Sequence, residues 1–223
     1  MGIKLFSCVL IFSSSAAVYG TPNAPSIKES HACHPINPYG ETKLMVEHIL
    51  EDYSKAYNLR YCALRYFNAA GGDPDGEVRN FKTHENNLIP IALKSLLDVN
   101  GEITVFGTDY PTPDGTCIRD YIHVYDLATA HIQAMEQLLN GAPSNIYNLG
   151  NGQGFSVREV LTAVEKVTDK PLKIREGTRR PGDPPVLVAN AEKARQELGW
   201  VPKYPQLEAM IDHAWEAMQP CSR

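Results

Sequence analysis

Tyr39 and Lys43, in Asn37-Pro38-Tyr39-Gly40-Glu41-Thr42-Lys43, stand four residues apart. On a helix that spacing puts both side chains on one face. An ammonium beside a phenol favours the phenolate, so the tyrosine could take and return a proton, which is the working part of a general acid–base site. A Tyr-x-x-x-Lys pair by itself is more often a plain surface pair. Three further segments keep it company. Phe12-Ser13-Ser14-Ser15-Ala16-Ala17-Val18-Tyr19-Gly20 is an apolar run that ends in hydroxyls. Arg65-Tyr66-Phe67-Asn68 and Arg119-Asp120-Tyr121-Ile122-His123-Val124 each place an arginine among apolar residues.

Strands and helices must alternate to position these groups. Val9–Phe12 reads as a buried parallel strand that delivers the serines at its C-terminal end. Tyr39 to Tyr57 reads as a helix with Pro38 at its start and Leu44, Ile49, Tyr53 and Ala56 near helical spacing. Tyr61–Tyr66 is a short apolar strand, so the three form a strand–helix–strand unit of a parallel sheet. Ala69–Glu85 is polar and glycine-rich. Beyond it, pattern predicts a helix over Leu88–Leu97, a strand over Ile103–Phe106, a turn region over Tyr110–Thr116 and a helix over Asp126–Leu139 with Asp126 as N-cap. A strand over Ile146–Leu149, a helix over Ser156–Thr168 with a Ser156/Glu159 capping box and a strand over Leu172–Arg175 follow. Helices over Asn190–Leu198 and Leu207–Met218 come last. The run Gly150-Asn151-Gly152-Gln153-Gly154 lies between a strand and a helix, but its spacing is wrong for a dinucleotide fingerprint and it reads as a plain loop.

The chain has 223 residues, is 43% hydrophobic and carries a net charge of -5. That content supports a real core, and the charge with scattered basic residues argues against nucleic acid as a partner. Five cysteines (Cys8, Cys33, Cys62, Cys117 and Cys221) form no Cys-x-x-Cys, so neither a disulfide framework nor a zinc site is indicated, and reduced cytoplasmic thiols fit best. His31-Ala32-Cys33-His34 is too tightly spaced for a usual metal site; no metal is expected. Met1–Phe12 followed by Ser15-Ala16-Ala17 also has the outline of a short signal peptide, yet cleavage there would remove the serines, which favours the strand. No stretch is long and apolar enough for a transmembrane helix, and no membrane partner is expected.

Taken in order, the serine run, Tyr39, Lys43, Arg65-Tyr66-Phe67-Asn68 and Arg119–Val124 resemble the extended short-chain dehydrogenase/reductase family, and within it the UDP-glucose 4-epimerases. The resemblance runs from about Val9 to about Pro220. It implies an α/β fold: an incomplete Rossmann-like parallel sheet with a smaller α/β C-terminal substrate lobe. Residues 1–68 would be the residual C-terminal part of the NAD-binding domain, and 69–223 mainly the UDP-sugar lobe, with about 115–150 returning to the first. The implied activity is interconversion of UDP-glucose and UDP-galactose through a 4-keto sugar, with NAD as cofactor. Tyr39 would be base and acid. Lys43 would tune it and bind the nicotinamide ribose, while Ser15 would hold the sugar 4-OH. Ser14 and Ser15 stand where related dehydratases carry an Asp-Glu pair, which favours epimerisation. Phe67 resembles the nicotinamide-side residue and Asn68 the diphosphate-contacting asparagine. Asn87 and Leu88 resemble the nucleotide-contacting segment, and Thr104 and Phe106 the uracil-edge strand. Arg119 and Arg180 resemble diphosphate clamps, and Asp183 the acceptor for the ribose hydroxyls. Leu187 matches a position beside the sugar where residue size restricts the hexose. His123 and Asp126 suggest a Ser–His–Asp triad, but they fall at a strand-to-helix junction and no Gly-x-Ser-x-Gly elbow accompanies them.

The sequence departs from that family in one respect. Members begin well upstream, with a glycine fingerprint and a ribose-binding acid, and no Gly-x-x-Gly-x-x-Gly occurs here. The expectation is a truncated or misassembled gene model, ahead of a real degenerate fragment or a half that completes itself with another chain; Met1–Cys8 is the part least like the family, and activity of the chain alone is in question. Alternatives are an epimerase of UDP-pentoses or UDP-N-acetylhexosamines, or a non-catalytic UDP-sugar-binding fragment. A homodimer is a family expectation that applies if the fold is complete.

Overall fold

Val9–Ser15 forms β1, and it pairs in parallel with β2 (Arg60–Tyr66) over its whole length. The computed structural model describes residues 8–79 and 86–219. The segment Met1–Cys8, singled out above as least family-like, lies outside the described residues except for Cys8. The same holds for 80–85, the end of the glycine-rich tract.

Between β1 and β2 runs α1 (Pro38–Tyr57), started by the Asn37 side chain, which accepts the Gly40 N–H at 2.8 Å, and ended by Asn58 in the left-handed conformation. The chain continues through β3 (Asn68–Ala70), α2 (Leu88–Leu97), β4 (Ile103–Phe106) and β5 (Ile118–His123). Then come α3 (Val124–Leu139), β6 (Asn145–Leu149), β7 (Gly154–Ser156) and α4 (Val157–Thr168). The last elements are β8 (Ile174–Gly177), β9 (Val186–Leu187), α5 (Glu192–Leu198) and α6 (Leu207–Met218).

The first sheet has the order β1-β2-β6, all parallel. Residues of β2 are buried along nearly its whole length, as expected for a strand covered on both faces. Helix α1 covers one face through Leu50, Tyr61 and Ala63, joined by Leu10, Phe12 and Val46. Helices α3 and α5 cover the other through Leu64, Leu127, Ala130, Leu149 and the fully buried Trp200. In the second sheet, β5 pairs with β3 and β9 in parallel and with β7 antiparallel. Beneath it, α2, α4 and α6 pack around Leu93, Ile103, Val160, Leu161, Met210 and Ile211. Strands β4 and β8 make a separate parallel ribbon.

Several boundaries differ from expectation. β1 continues through Ser13, Ser14 and Ser15, because each pairs with β2 and Ser14 finds a buried acceptor on α1. The predicted strand at Leu172–Arg175 begins instead at Ile174, since the Leu172 N–H turns to Glu165. Asn190 stays outside α5: its backbone N–H is used by Ile27 and its side chain accepts the Glu192 N–H. Asp126 is not the N-cap of α3. His123 is, with Nδ1 accepting the Tyr125 N–H at 3.0 Å, while Asp126 is buried and accepts the N–H groups of Lys203 and Tyr204. The Ser156/Glu159 capping box is present in both directions. On α1, the apolar spacing misleads. Ile49 and Tyr53 are each 53% exposed, and the buried positions are Gly40, Glu47 and Leu50.

Candidate active site

The C-terminal end of β1, the segment leading into α1 (Ile36 and Asn37) and the segment after β2 converge on a cleft of about 190 Å³. Ser15, Asn37, Phe67, Asn68, Arg119, Asp183 and Leu187 are among its lining residues. A second cleft of about 400 Å³ adjoins it, sharing Asn68, Arg119 and Asp183. Asn87, Leu88, Thr104, Phe106 and Arg180 line this second cleft. Of the ten residues that sequence assigned to the sugar nucleotide, nine therefore line one or other of these adjoining clefts, and Tyr39 lines neither.

Chain geometry explains the first cleft. After β1 a short 3-10 helix, Ala16–Tyr19, is capped by Ser15, whose Oγ accepts the Ala17 N–H at 3.2 Å. The first turn of α1 rests on this helix. A Cβ on Gly40 would lie 2.5 Å from the Ala17 carbonyl oxygen, so only glycine allows the first turn of α1 to approach the 3-10 helix this closely. Lys43 donates to the Ser13 carbonyl at 2.9 Å, and its ammonium lies 5.5 Å from the Tyr39 ring centroid and 5.1 Å from that of Phe12. Tyr39 itself is 55% exposed and is not among the residues lining the cleft, although Asn37, two residues earlier, is.

Where the two clefts meet, Arg119 is held rather than free. It donates to the carbonyls of Pro184 at 2.7 Å and Ile118 at 2.9 Å, and to Asp183 Oδ1 at 3.3 Å. Asn68 donates to the Asp120 carbonyl at 3.1 Å. At the exposed edge of the second cleft the Arg180 guanidinium stacks 3.9 Å above the Phe106 ring. Asp120, fully buried, accepts the N–H groups of Asn151, Gly152 and Ala189, and so ties down the glycine run that follows β6. Burial pushes its carboxyl up to about 6, against those three hydrogen bonds.

His123 and Asp126 do not join Ser15. His123 Nε2 meets His213 Nδ1 of α6 at 3.0 Å, and Asp126 pins the chain entering α6. Among the described residues, no group of three His, Cys, Asp or Glu side chains is gathered to hold a metal, and no helix is long and apolar enough to cross a membrane. Sequence reasoning missed Asn37 and Ile36, which line the first cleft, and Glu102 and Cys117, which line the second. Asn37 had a signal, since Asn before Pro at a helix start marks an N-cap.

Residues 2–150 match the family described as the NAD dependent epimerase/dehydratase family. The chain belongs to this family. Members with curated names include the UDP-glucose 4-epimerase of Halalkalibacterium halodurans, 50% identical over 206 residues, which are 92% of this chain and 62% of that protein. Among solved structures, the UDP-glucose 4-epimerase of Brucella ovis in complex with NAD superposes with a TM-score of 0.89 at 47% identity, covering 93% of this chain and 64% of that one. The Bifidobacterium longum enzyme in complex with NAD+ and UDP gives 0.87 at 39% identity, covering 94% and 63%. The α/β architecture with its parallel sheet is thus the Rossmann-like fold of these epimerases. This family member spans about 62% of the length of the curated relatives it matches.

Proposed function

We propose that this chain binds UDP-hexoses across the two connected clefts and interconverts UDP-glucose and UDP-galactose at C4. The observation that carries the reading is the continuity of the clefts. The hydroxyl of Ser15 opens onto one, the nucleotide set Asn87, Leu88, Thr104, Phe106 and Arg180 onto the other, and Asn68 and Arg119 lie where they join. Residues 1–68, with about 115–150, form the cofactor side on this reading, and the remainder of 69–223 the sugar-nucleotide side.

The diphosphate would sit at the junction, where Arg119 is already oriented by two carbonyls and Asp183. The uracil would lie near Phe106 and Arg180, the ribose near Asp183, and the hexose in the first cleft between Ile36, Phe67 and Leu187. Tyr39 would take the C4 hydroxyl proton as the 4-keto sugar forms and return it after the ring has turned, and Ser15 would hold that oxygen. NAD, when bound, supplies the reversible two-electron oxidation at C4. The chain's residues fit the nicotinamide end of that cofactor: Lys43 has three donors and uses one on Ser13, leaving others for the ribose, and Phe67 walls the cleft beside it. The same reading makes the protein a cytoplasmic homodimer. An exposed apolar stripe on α1 (Met45, Ile49, Tyr53 and Tyr57) and the free thiols of Cys8, Cys33, Cys62 and Cys117 support it.

The deciding experiment is conversion of UDP-galactose to UDP-glucose by the purified chain with excess NAD, with UDP binding followed by calorimetry. Turnover supports the reading. UDP binding with no turnover leaves a sugar-nucleotide binder, and loss of both refutes the assignment of the clefts. Sedimentation velocity tests the dimer.

A further inference from the structure

Behind the first cleft lies a chain of buried polar groups to which the proposed chemistry assigns no task. Glu47 sits on α1 one turn beyond Lys43, and Arg65 lies on β2 two residues before Phe67. Their side chains are 3% and 5% exposed. Arg65 grips the carboxylate in a fork: Nε donates to Oε1 at 2.9 Å and to Oε2 at 3.2 Å, and Nη2 to Oε2 at 2.5 Å. Ser14 Oγ donates to Glu47 Oε1 at 2.5 Å. From the other side, Arg65 Nη1 donates to the Tyr19 hydroxyl at 2.9 Å, which donates to Asn148 Oδ1 at 2.7 Å. Asn148 Nδ2 in turn donates to the Ile27 carbonyl at 2.9 Å.

Every member of this chain is satisfied, so it carries no orphaned polar group. Burial works against the charged guanidinium, yet the hydrogen bonds and charge of Glu47 hold it protonated above its ordinary value. Burial likewise pushes Tyr19 up to about 12, against the Arg65 charge, so it remains a phenol that can donate to Asn148. A buried ion pair is a poor source of net stability, because desolvation offsets most of the attraction; its best-attested use is to fix one arrangement among several apolar ones. The location here suggests which arrangement. Tyr39, Lys43 and Glu47 follow at four-residue spacing, one stripe of α1. Two of the three reach across to consecutive residues of β1, Lys43 to the Ser13 carbonyl and Glu47 to the Ser14 hydroxyl. The next residue of β1 is Ser15.

We propose that Glu47 and Arg65 are positioning residues: the buried chain Ser14–Glu47–Arg65–Tyr19–Asn148 fixes the rotation and depth of α1 against β1, and thereby sets Tyr39 and Lys43 over the strand end that carries Ser15. Apolar contacts between α1 and the sheet, through Leu50, Leu10 and Val46, tolerate a small slide or roll of the helix; a forked carboxylate–guanidinium pair does not. The chemistry being positioned rests on the function proposed above, whereas the anchoring of α1 does not.

The test replaces the pair by apolar groups of similar size, Glu47→Leu with Arg65→Met, in the full chain. Thermal unfolding, UDP affinity, turnover of UDP-galactose with NAD, and amide hydrogen exchange resolved by segment are then compared with the parent. The expected result is a cooperative transition and UDP affinity within about twofold of the parent, exchange at the start of α1 at least tenfold faster, exchange in α4 and α6 unchanged, and kcat at least tenfold lower at similar KM. Unchanged exchange in α1, or unchanged kcat beside a loosened α1, overturns the proposal. So does a uniform rise in exchange with a collapsed transition, because the pair would then be a general stabiliser. Should the double variant not fold, Glu47→Gln is judged by the same exchange pattern. If the parent itself shows no turnover, the functional reading fails, while local loosening of α1 in the variant still decides the anchoring.

Discussion

The two clefts are walled by different physics. The first is framed by polar groups that are themselves locked: Ser15 caps a turn, Asn37 caps α1, Lys43 is tied to Ser13, and the Glu47–Arg65 pair lies beneath. In the second, recognition groups lie on top of an apolar cluster of α2, α4 and α6. Phe106 and Arg180 stack on each other at its surface, and no buried ion pair among the described residues supports them. Proton transfer fails when atoms are misplaced by an ångström, whereas binding a flexible nucleotide needs area and charge more than exact placement. A site that does both can therefore keep its rigidity local.

That contrast is broken most directly by substituting one residue on each side. Tyr39→Phe should lower turnover by about a thousandfold, or roughly 4 kcal/mol, with UDP affinity unchanged. If steady-state assays show activity near the parent's, Tyr39 is not the acid–base group. A loss of UDP affinity equal to the loss of turnover would mean instead that the two clefts are one mechanical unit.

A second measurement concerns the joint between the regions. His123 ends β5, the strand that carries Arg119, and bonds His213 of α6. Because Nδ1 of His123 accepts the Tyr125 N–H, Nε2 is the nitrogen that can donate to His213 Nδ1. Tyr204 packs against both rings and Lys203 lies over Tyr204. Burial, reinforced by His213, pulls His123 down to about 4. A histidine whose folded value is depressed contributes stability that is complete above the unfolded value, about 6.5, and is lost as pH falls toward 4. The His123 share is about 3 kcal/mol, read as the difference between parent and His123→Asn in urea unfolding from pH 7 to 4, because the raised carboxyl of Asp120 gains stability over the same range. His123→Asn, which can still cap α3, should remove that share and leave the opposite trend of Asp120. An unchanged slope would place the acid sensitivity elsewhere.

Arg180 offers a smaller effect in the second cleft. Arg180→Gln should raise KM for UDP-galactose by about tenfold with kcat nearly unchanged, since a charged contact made equally in ground and transition states acts on binding alone. A fall in kcat at constant KM would show that the second cleft also shapes the chemistry.

Particular residues show what sequence could reveal. Leu88–Leu97, Ile103–Phe106 and Leu207–Met218 match the structure to the residue, because their apolar spacing is set by burial on one face. β3, β7 and β9 carry no pattern to read, being two or three residues long and held by what β5 offers them. β5 itself was hidden by Arg119 and Asp120, polar residues in a central strand whose partners lie elsewhere in the chain. Glu47 was hidden in the same way. It occupies the inward face of α1, where a periodicity argument seeks a leucine, and only Arg65, distant in sequence, makes that possible. Most residues that line the clefts could be named from sequence through the family resemblance; the groups that hold them in place could not, because each makes sense only beside its partner.

The finest distinction between the clefts concerns Leu187. It lines the first cleft, as Ser15 does, and β9, to which it belongs, is pinned by pairing with Arg119. Its side chain can therefore be shortened without moving the nucleotide set. Leu187→Ser opens the sugar end and adds a hydroxyl, so the ratio of kcat/KM for UDP-N-acetylgalactosamine over UDP-galactose should rise about tenfold, a change of roughly 1.4 kcal/mol. The gain is modest because an apolar wall discriminates only by size. If the ratio stays constant while both activities fall together, the sugar does not contact Leu187.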